Sequence, residues 1–387
     1  MSEAERVVIV GAGPAGLSTA AALSRRGVDA LVLDRGDRIG GSWTRRYERL
    51  HLHTIRRFSG LAHHGIPRTY SRYLSKDDYA AYLASYAERF GLRAALGESV
   101  VAVRPAPSAE LAWVVETSGR TMGAEVVVLA TGHYAEPRVP SWEGIEEFPG
   151  RLVHSADYRT GRDFADLRVL VVGLGNSGAE IATDLVEQGA ASVAVAVRTS
   201  PPIVTRELLG VVPVQLFGIA LSPLGIPRAV DRMGAVLRKR AVGDLRPYGL
   251  GEPAWGPFTA RRPAVIDVGF LEVLKAGRVT VRPALARLTS DGAEYADGSS
   301  EAVDAVVVAT GFETGLESML RDVPGVVGDD GQPLARSGQP TAAAGLYFIG
   351  FDETVRGHLF EARRESKRLA RRIAGSLRSS GAGTSSA

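Results

Sequence analysis

Residues 6–34 read RVVIVGAGPAGLSTAAALSRRGVDALVLD, and this stretch decides the fold of the first part of the chain. A short apolar run leads into a glycine-rich loop, which opens an alanine-rich helical segment that a second apolar run follows. The alternation of strand, helix and strand predicts a βαβ unit with two parallel strands. Its loop glycines, Gly11, Gly13 and Gly16, fit the G-x-G-x-x-G pattern.

The glycine spacing and the acid at the end of the second strand predict a site for an adenine dinucleotide. Glycine at these positions allows a tight turn, the approach of a pyrophosphate, and close packing of helix on strand. Asp34 closes the second strand, where a carboxylate can accept hydrogen bonds from both ribose hydroxyl groups. A purely structural glycine turn is the alternative, and it would not require the acid.

A second unit of the same kind occupies residues 168–198, which read RVLVVGLGNSGAEIATDLVEQGAASVAVAVR. Gly173, Gly175 and Gly178 repeat the first spacing, but the second strand ends near Arg198 instead of an acid. A guanidinium can pair with a ribose 2′-phosphate that a carboxylate would repel, so this unit is predicted to bind NADPH. An exposed surface arginine is the alternative interpretation of Arg198.

Two further strands end alike, with VVVLATG at 126–132 and VVVATGF at 306–312. Each could be no more than a junction between strand and loop. Both lie where the chain should leave or re-enter a domain, so we predict an α/β fold with two nested dinucleotide-binding, Rossmann-like domains. The expected parts are a discontinuous first domain at 1–160 and 300–376, an inserted domain at 161–299, and a disordered tail at 377–387.

Residues 200–262 are rich in proline, glycine and apolar residues, with a basic helical stretch. They are predicted to form a helical lid or a wall of the substrate cavity within the inserted domain. A local packing helix with a solvated basic face is an equally good interpretation.

The composition excludes several classes of protein. The 387 residues carry 46 basic and 43 acidic side chains, and this near balance argues against a dedicated nucleic-acid surface. Cysteine is absent, which excludes disulfides, thiolate metal sites and any Cys-x-x-Cys redox pair, and no other metal-ligand set is recognised. No apolar run is long enough to span a membrane, and the first strand begins too early for a signal peptide, so we expect a cytoplasmic protein.

The motifs together resemble one family. In FPGRLVHSADYR, residues 148–159, the residues Phe148, Gly150, His154 and Tyr158 match the FxGxxxHxxx(F/Y) fingerprint of the flavin-containing monooxygenases. The segments YERLHLHT and VLVVGLGNSGAEIATDLV are similar to the YUCCA-type members and their bacterial relatives. The resemblance covers almost the whole chain.

The resemblance implies that FAD binds to the discontinuous domain and NADPH to the inserted one. It also implies that NADPH reduces the flavin, that O₂ then forms a C4a-hydroperoxyflavin, and that one oxygen atom passes to a substrate. Such chemistry belongs to the cofactor, so the protein needs no nucleophile or metal cluster of its own. The residues that match the FAD positions are Gly11, Gly13, Pro14, Ala15, Gly16, Asp34, Arg35, Gly41, Ser42, Trp43 and Gly350, and those that match the NADPH positions are Gly173, Gly175, Asn176, Ser177, Gly178 and Arg198.

One position departs from the family. Relatives often carry an asparagine that contacts the hydroperoxide, and His53 stands there in LHLHTIRRF. As the candidate catalytic residue, His53 could donate a hydrogen bond or tune protonation, and a packed histidine is the alternative. The flavin-edge strand GLYFIG further implies that Gly350 and the helix start at Gly357 and His358 lie beside the flavin ring.

The sequence therefore predicts an FAD- and NADPH-dependent monooxygenase whose partners are O₂ and a small organic substrate, in a chain that could form a homodimer. The expected reaction is N- or S-oxygenation, or oxidative decarboxylation of an aryl 2-oxo acid as in YUCCA-type enzymes. The alternatives are a Baeyer-Villiger monooxygenase, which Tyr158 disfavours because that branch has tryptophan there, and an NADPH oxidase or nucleotide-sensing flavoprotein without a dedicated substrate.

Overall fold

The computed structural model describes residues 4–107, 111–208 and 210–383, and it contains a sheet built on each predicted βαβ unit. The first part of the chain forms β1 (Ala4–Val10), α1 (Pro14–Ser24), β2 (Leu31–Asp34), α2 (Gly41–Thr44), α3 (Arg56–Ser59), α4 (Lys76–Arg89), β3 (Arg93–Leu96), β4 (Val100–Pro105), β5 (Trp113–Thr117) and β6 (Thr121–Leu129). Strands β1, β2, β3 and β6 are parallel, whereas β4 and β5 form an antiparallel meander with β6.

The chain then crosses into the second sheet. Its elements are β7 (Glu136–Pro137), β8 (Arg151–His154), β9 (Arg168–Val172), α5 (Asn176–Glu187), β10 (Ser192–Ala196), β11 (Ile203–Thr205), β12 (Glu207–Leu208), β13 (Val212–Pro213), α6 (Gln215–Leu221), α7 (Pro227–Val242), α8 (Pro257–Ala260), β14 (Val265–Asp267), α9 (Phe270–Lys275), β15 (Val279–Arg282), β16 (Leu285–Thr289), β17 (Gly292–Tyr295), β18 (Ser300–Glu301) and β19 (Ala305–Val308). Five of these strands form one parallel sheet in the order β15-β10-β9-β19-β8.

The return to the first sheet completes the nesting. It uses β20 (Phe312–Glu313), α10 (Leu316–Met319), β21 (Leu346–Phe348) and α11 (His358–Gly383). Strand β20 pairs antiparallel with β7, so the outgoing and returning chains cross side by side. Strand β21 joins the first sheet beside β6, and helix α11 contacts α1 on its face. The predicted α/β fold with one dinucleotide-binding unit nested in the other is confirmed.

The topology corrects the predicted domain boundaries. Strands β8 and β19 belong to the second sheet, although the sequence boundaries at 160 and 300 assigned both to the first domain. The buried run Ala305–Val308 pairs on both sides, with β9 and with β8, because it is the inner strand that the second βαβ unit requires. The chain therefore passes from the first domain to the second, and back again, at the paired strands β7 and β20.

The predicted tail also needs correction. Helix α11 continues to Gly383, and Leu377, the first residue of the expected disordered segment, is buried in the core of the first domain. Residues 384–387 of that prediction lie outside the described residues.

The segment 200–262 lies between β10 and β14 and carries the short helices α6 and α8 and the longer α7. Residues Met233 and Val236 on α7 are exposed, whereas Val230 is buried. Among the described residues, no helix combines the length and apolarity that crossing a bilayer would require.

Candidate cofactor and substrate cavity

A cavity of about 1280 Å³ opens between the two sheets and the segment 200–262. Its wall includes many of the residues predicted from the sequence, namely Gly11, Gly13, Pro14, Ala15, Asp34, Arg35, Ser42, Trp43, His53, Asn176, Ser177 and Gly350. Gly16, Gly41, Gly173, Gly175, Gly178 and Arg198 are absent from this wall. The cavity thus joins the first glycine loop to the start of the helix that follows the second.

Each of the three positions in the first loop suits glycine for a different physical reason. Gly11 has a φ of +110°, and a Cβ there would lie 2.6 Å from the carbonyl oxygen of Ala130. A Cβ on Gly16 would lie 1.9 Å from the carbonyl oxygen of Gly11, so the loop itself excludes a side chain there. A Cβ on Gly13 would meet no atom within 4 Å. Gly13 therefore leaves open space at the helix start, where an anionic phosphate group fits.

The second loop repeats this arrangement. Gly173 has a φ of +104°, and its Cβ would lie 2.7 Å from the carbonyl oxygen of Ala309. A Cβ on Gly178 would lie 2.0 Å from the carbonyl oxygen of Gly173, whereas one on Gly175 would meet no atom within 4 Å. Gly13 and Gly175 are thus equivalent positions with room for a ligand.

Asp34 is already held by the backbone. Its Oδ2 accepts a hydrogen bond from the Ala12 amide at 2.6 Å, and its Oδ1 accepts one from the Gly36 amide at 2.7 Å. A carboxylate has about four acceptor positions, so the remaining ones can still receive hydroxyl groups from the cavity. The two amides fix the carboxylate at the end of β2, as a ribose-binding acid requires.

Two residues predicted to bind NADPH, Asn176 and Arg198, do not both point to a ligand as clearly as Asp34 does. Asn176 Oδ1 accepts a hydrogen bond from the Ile266 amide at 2.7 Å, so this side chain ties the start of α5 to β14. Arg198 is exposed beyond the end of β10. Within the described part of the chain it has no hydrogen bond or ion pair, which leaves its guanidinium available to an anion.

His53 lies at the contact between the two domains. Its Nε2 donates a hydrogen bond to Glu180 Oε1 at 2.6 Å, and the Glu180 side chain is only 3% exposed. Burial, together with the nearby charge of Glu180, raises the pKa of Tyr47 well above its usual range. Sequence reasoning missed Glu180, although it stands four residues after Asn176 on α5 and so shares that helix face.

The ATG turn after β6 contributes polar atoms that sequence reasoning also missed. Thr131 Oγ1 and His133 Nε2 are buried in the cavity wall with no hydrogen-bond partner among the described residues. Buried polar atoms are normally satisfied, so these two indicate a polar ligand. Burial lowers the pKa of His358 to about 4, with His133 adding to the effect, and the two rings lie 5.8 Å apart.

Part of the fingerprint segment, Arg151–His154, forms strand β8 of the second sheet. The Ala156 amide donates to His154 Nδ1 at 3.1 Å, so Nε2 carries the proton and donates to the Gly311 carbonyl at 3.1 Å. The Tyr158 hydroxyl donates to Asp184 Oδ2 at 2.7 Å. His154 thus fixes the returning chain, and Tyr158 fixes α5.

The segment 200–262 gives the cavity an apolar wall. Gln215 of α6 accepts a hydrogen bond from the Ile55 amide and donates one to the Arg356 carbonyl, both at 3.0 Å. A Cβ on Gly218 would lie 2.1 Å from the Val355 carbonyl oxygen, so α6 packs directly on the first domain. The apolar lining from this segment includes Val204, Leu208, Phe217, Leu221, Val230, Met233, Leu237, Trp255 and Phe258. These residues line the cavity, and a role of the segment as a lid or substrate wall stays a prediction.

Comparison with known proteins places this geometry in a family. A family model described as pyridine nucleotide-disulphide oxidoreductase matches residues 8–208. Indole-3-pyruvate monooxygenase YUCCA1 of Oryza sativa subsp. japonica is 38% identical over 91% of this chain and 87% of its own length. YUCCA6 of Arabidopsis thaliana, also an indole-3-pyruvate monooxygenase, is 36% identical over 95% of this chain and 89% of its own.

A solved structure agrees with the sequence relatives. A variant of the flavin monooxygenase from Stenotrophomonas maltophilia is 25% identical and superimposes with a TM-score of 0.75 over 97% of this chain and 99% of its own. Flavin and pyridine nucleotide are the cofactors of such a family, which confirms the cofactors that the resemblance implied. With relatives of this identity matched over nearly its whole length, the chain belongs to the flavin monooxygenases of the YUCCA group, within the pyridine nucleotide-disulphide oxidoreductase family.

Proposed function

We propose that the protein uses FAD and NADPH to transfer one atom of O₂ to a small organic substrate. The observation that carries this proposal is the single cavity that reaches both Gly13 of the first glycine loop and Ser177 beside the second. A flavin and a nicotinamide must meet for hydride transfer, and a shared cavity provides that meeting point.

FAD is assigned to the first domain. Gly13 leaves space for the pyrophosphate, and Asp34 offers its free acceptor positions to the ribose. Thr131 Oγ1 and His133 Nε2, which lack hydrogen-bond partners among the described residues, fit a polar molecule in the same cavity. The other FAD contacts are proposed at Gly11, Pro14, Ala15, Gly16, Arg35, Gly41, Ser42, Trp43 and Gly350.

NADPH is assigned to the second domain. The open space at Gly175 accommodates its pyrophosphate, and the exposed Arg198, which has no ion pair among the described residues, suits its 2′-phosphate. Gly173, Asn176, Ser177 and Gly178 form the rest of this site. Asn176 acts by holding α5 against β14.

The bound flavin supplies the electron transfer from NADPH and the activation of O₂. The chain supplies position and the exclusion of water. His53, held by Glu180, is proposed to present its ring at the boundary between the two cofactor sites. The apolar side chains of 200–262 keep the reacting region dry, which limits side reactions with water.

An aryl 2-oxo acid is the substrate class that we propose. The relatives' names state indole-3-pyruvate, and the aromatic and aliphatic lining of the cavity suits an aryl group. The balanced reaction converts the 2-oxo acid, O₂, NADPH and a proton to the shortened carboxylate, CO₂, NADP⁺ and water. The bond between the carbonyl and carboxylate carbons breaks, and one oxygen atom enters the product.

The test uses the purified, flavin-containing protein. Anaerobic NADPH should bleach the flavin absorbance, and aerobic turnover with indole-3-pyruvate should give indole-3-acetate and CO₂ at about one per NADPH consumed. N- or S-oxygenation is tested in parallel with an amine and a thioether, and ketone insertion with cyclohexanone. NADPH consumption that yields only hydrogen peroxide with every substrate would contradict the proposal and support an oxidase.

A further inference from the structure

Arg46 lies in the cavity wall where the two domains meet, just after α2. Its guanidinium carbon lies 5.6 Å from the ring centroid of Tyr134 and 5.3 Å from that of Phe312. Tyr134 follows the ATG turn of the first domain, whereas Phe312 belongs to the returning strand β20. Two aromatic rings from separate parts of the chain therefore flank this arginine.

The pairing of the Arg46 guanidinium differs from that of the arginines around it. In the described ranges it forms no hydrogen bond or ion pair, whereas the nearby arginines are bound to other groups. Arg45 lies 3.7 Å from Asp37, Arg49 lies 2.8 Å from Glu187, and Arg159 donates to two backbone carbonyls. Arg46 is the exception in this cluster, so its five N–H donors remain for a ligand.

The surroundings of Arg46 are electrostatically unfavourable for an unpaired cation. Burial lowers the pKa of Arg46, and the charges of Arg159 and Arg45 act in the same direction. The rings of Tyr134 and Phe312 offset part of this cost through their negatively polarised faces. Charges that lose water are normally paired, so the arrangement lacks an anion.

We propose that Arg46 is an anion-binding subsite of the cavity, which receives a carboxylate or phosphate group of a molecule bound between the two glycine loops. A planar guanidinium binds both groups through paired N–H donors, and the flanking rings restrict its rotation. The inference rests on the proposed function for the identity of the ligand. The carboxylate belongs to a 2-oxo acid substrate and the phosphate to the nucleotide.

The experiment compares flavin-containing wild-type protein with Arg46→Gln and Arg46→Lys. Calorimetry measures the Kd of NADP⁺ and of indole-3-pyruvate, and thermal unfolding measures stability without either ligand. One of the two Kd values should rise at least about tenfold in Arg46→Gln, because a charge-assisted contact is lost. The ligand that weakens identifies the source of the anion, and Arg46→Lys should recover part of the affinity.

Arg159→Gln is the matched control, since it removes a nearby positive charge outside the cavity wall. Equal losses in both variants would overturn the proposal, because a general field effect would then explain them. Unchanged Kd values with a lower Tm in Arg46→Gln would also overturn it, since Arg46 would then only stabilise the ring contacts. Calorimetry reports binding without turnover, so an inactive wild-type protein would contradict the proposed function and leave this test intact.

Discussion

His53 Nε2 lies 2.6 Å from Glu180 Oε1, and this hydrogen bond joins the first domain to the helix that follows the second glycine loop. The carboxylate is buried, so it depends on the imidazole for solvation that water would otherwise supply. The pair can therefore set the orientation of the second domain relative to the first.

Replacing His53 tests this coupling. His53→Ala removes the imidazole donor from Glu180, which keeps the Tyr47 hydroxyl nearby, and we expect the free energy of unfolding to fall by about 1–3 kcal/mol. NADPH-driven flavin reduction should slow about tenfold, because productive transfer depends on close positioning. His53→Gln carries an amide donor of similar reach, so it should restore most of the stability and most of the reduction rate. Thermal unfolding measures the first, and anaerobic stopped-flow absorbance measures the second. If the glutamine variant behaves like the alanine variant, the hydrogen bond to Glu180 does not explain the effect.

Gly13→Ala and Gly175→Ala form a matched pair of substitutions. Each new Cβ meets no atom within 4 Å and the φ values are −76° and −93°, so both variants should fold. We expect Gly13→Ala to lose bound flavin, because its methyl group occupies pyrophosphate space. Gly175→Ala should retain flavin and raise the Kd of NADPH. Flavin absorbance per protein and calorimetry check both, and loss of flavin in Gly175→Ala would contradict the assignment of the two loops.

Much of the fold could be predicted from the sequence because it depends on local patterns. Both βαβ units follow from apolar periodicity and glycine spacing. The ATG repeats have a structural explanation in the two sheets, where Ala130 and Ala309 place their carbonyl oxygens against Gly11 and Gly173. The boundary was misplaced because Ala305–Val308 has the same sequence pattern as β6 of the first sheet. Only its pairing with β9 shows that it belongs to the second sheet.

The contacts of the site were harder to predict because they join distant segments. His53 was identified by its position in a motif, but its partner Glu180 lies 127 residues away. Arg46 resembles its neighbours Arg45 and Arg49 in the sequence, and only their ion pairs distinguish them. The tail was misjudged because its composition is polar and small, while the helix that precedes it continues as far as Gly383.

Arg198→Ala tests the nucleotide preference. The exposed guanidinium should contact the 2′-phosphate, which NADH lacks. The affinity of the variant for NADPH should therefore fall about tenfold or more, while its affinity for NADH changes little. The KM values of both nucleotides in flavin reduction provide the measurement. Arg25→Ala removes another exposed arginine, outside both glycine loops, and serves as the control. Equal effects on the two nucleotides would exclude a role in reading the 2′-phosphate.

Tyr158→Phe separates the structural role of the fingerprint from catalysis. The hydroxyl and the Gly161 amide both donate to Asp184 Oδ2, at 2.7 and 2.8 Å. Loss of one donor to this buried carboxylate should lower the free energy of unfolding by about 1–3 kcal/mol. Tyr158 lies outside the cavity wall, so kcat and KM should stay near the wild-type values. A loss of kcat at unchanged stability would instead indicate a direct part in the reaction.

His358 should make the folded protein less stable at acidic pH. Burial lowers its pKa to about 4, whereas an unfolded histidine titrates near 6.5. Above about pH 6.5 the residue is neutral in both states and contributes nothing. As the pH falls from 6.5 towards 4, the unfolded chain binds the proton and the folded chain does not, so stability falls. This residue alone should lower the free energy of unfolding by about 2 kcal/mol between pH 7.5 and pH 5.

His358→Asn removes the titration and keeps a polar side chain that can replace the hydrogen bond to the Asp352 backbone. The free energy of unfolding, measured with urea across this pH range on flavin-containing protein, should therefore decline less steeply than in the wild type. His51→Asn removes an exposed histidine and is the control. Parallel pH profiles for His358→Asn and the wild type would show that the buried imidazole does not cause the acid sensitivity, because linkage requires a difference in proton binding between the two states.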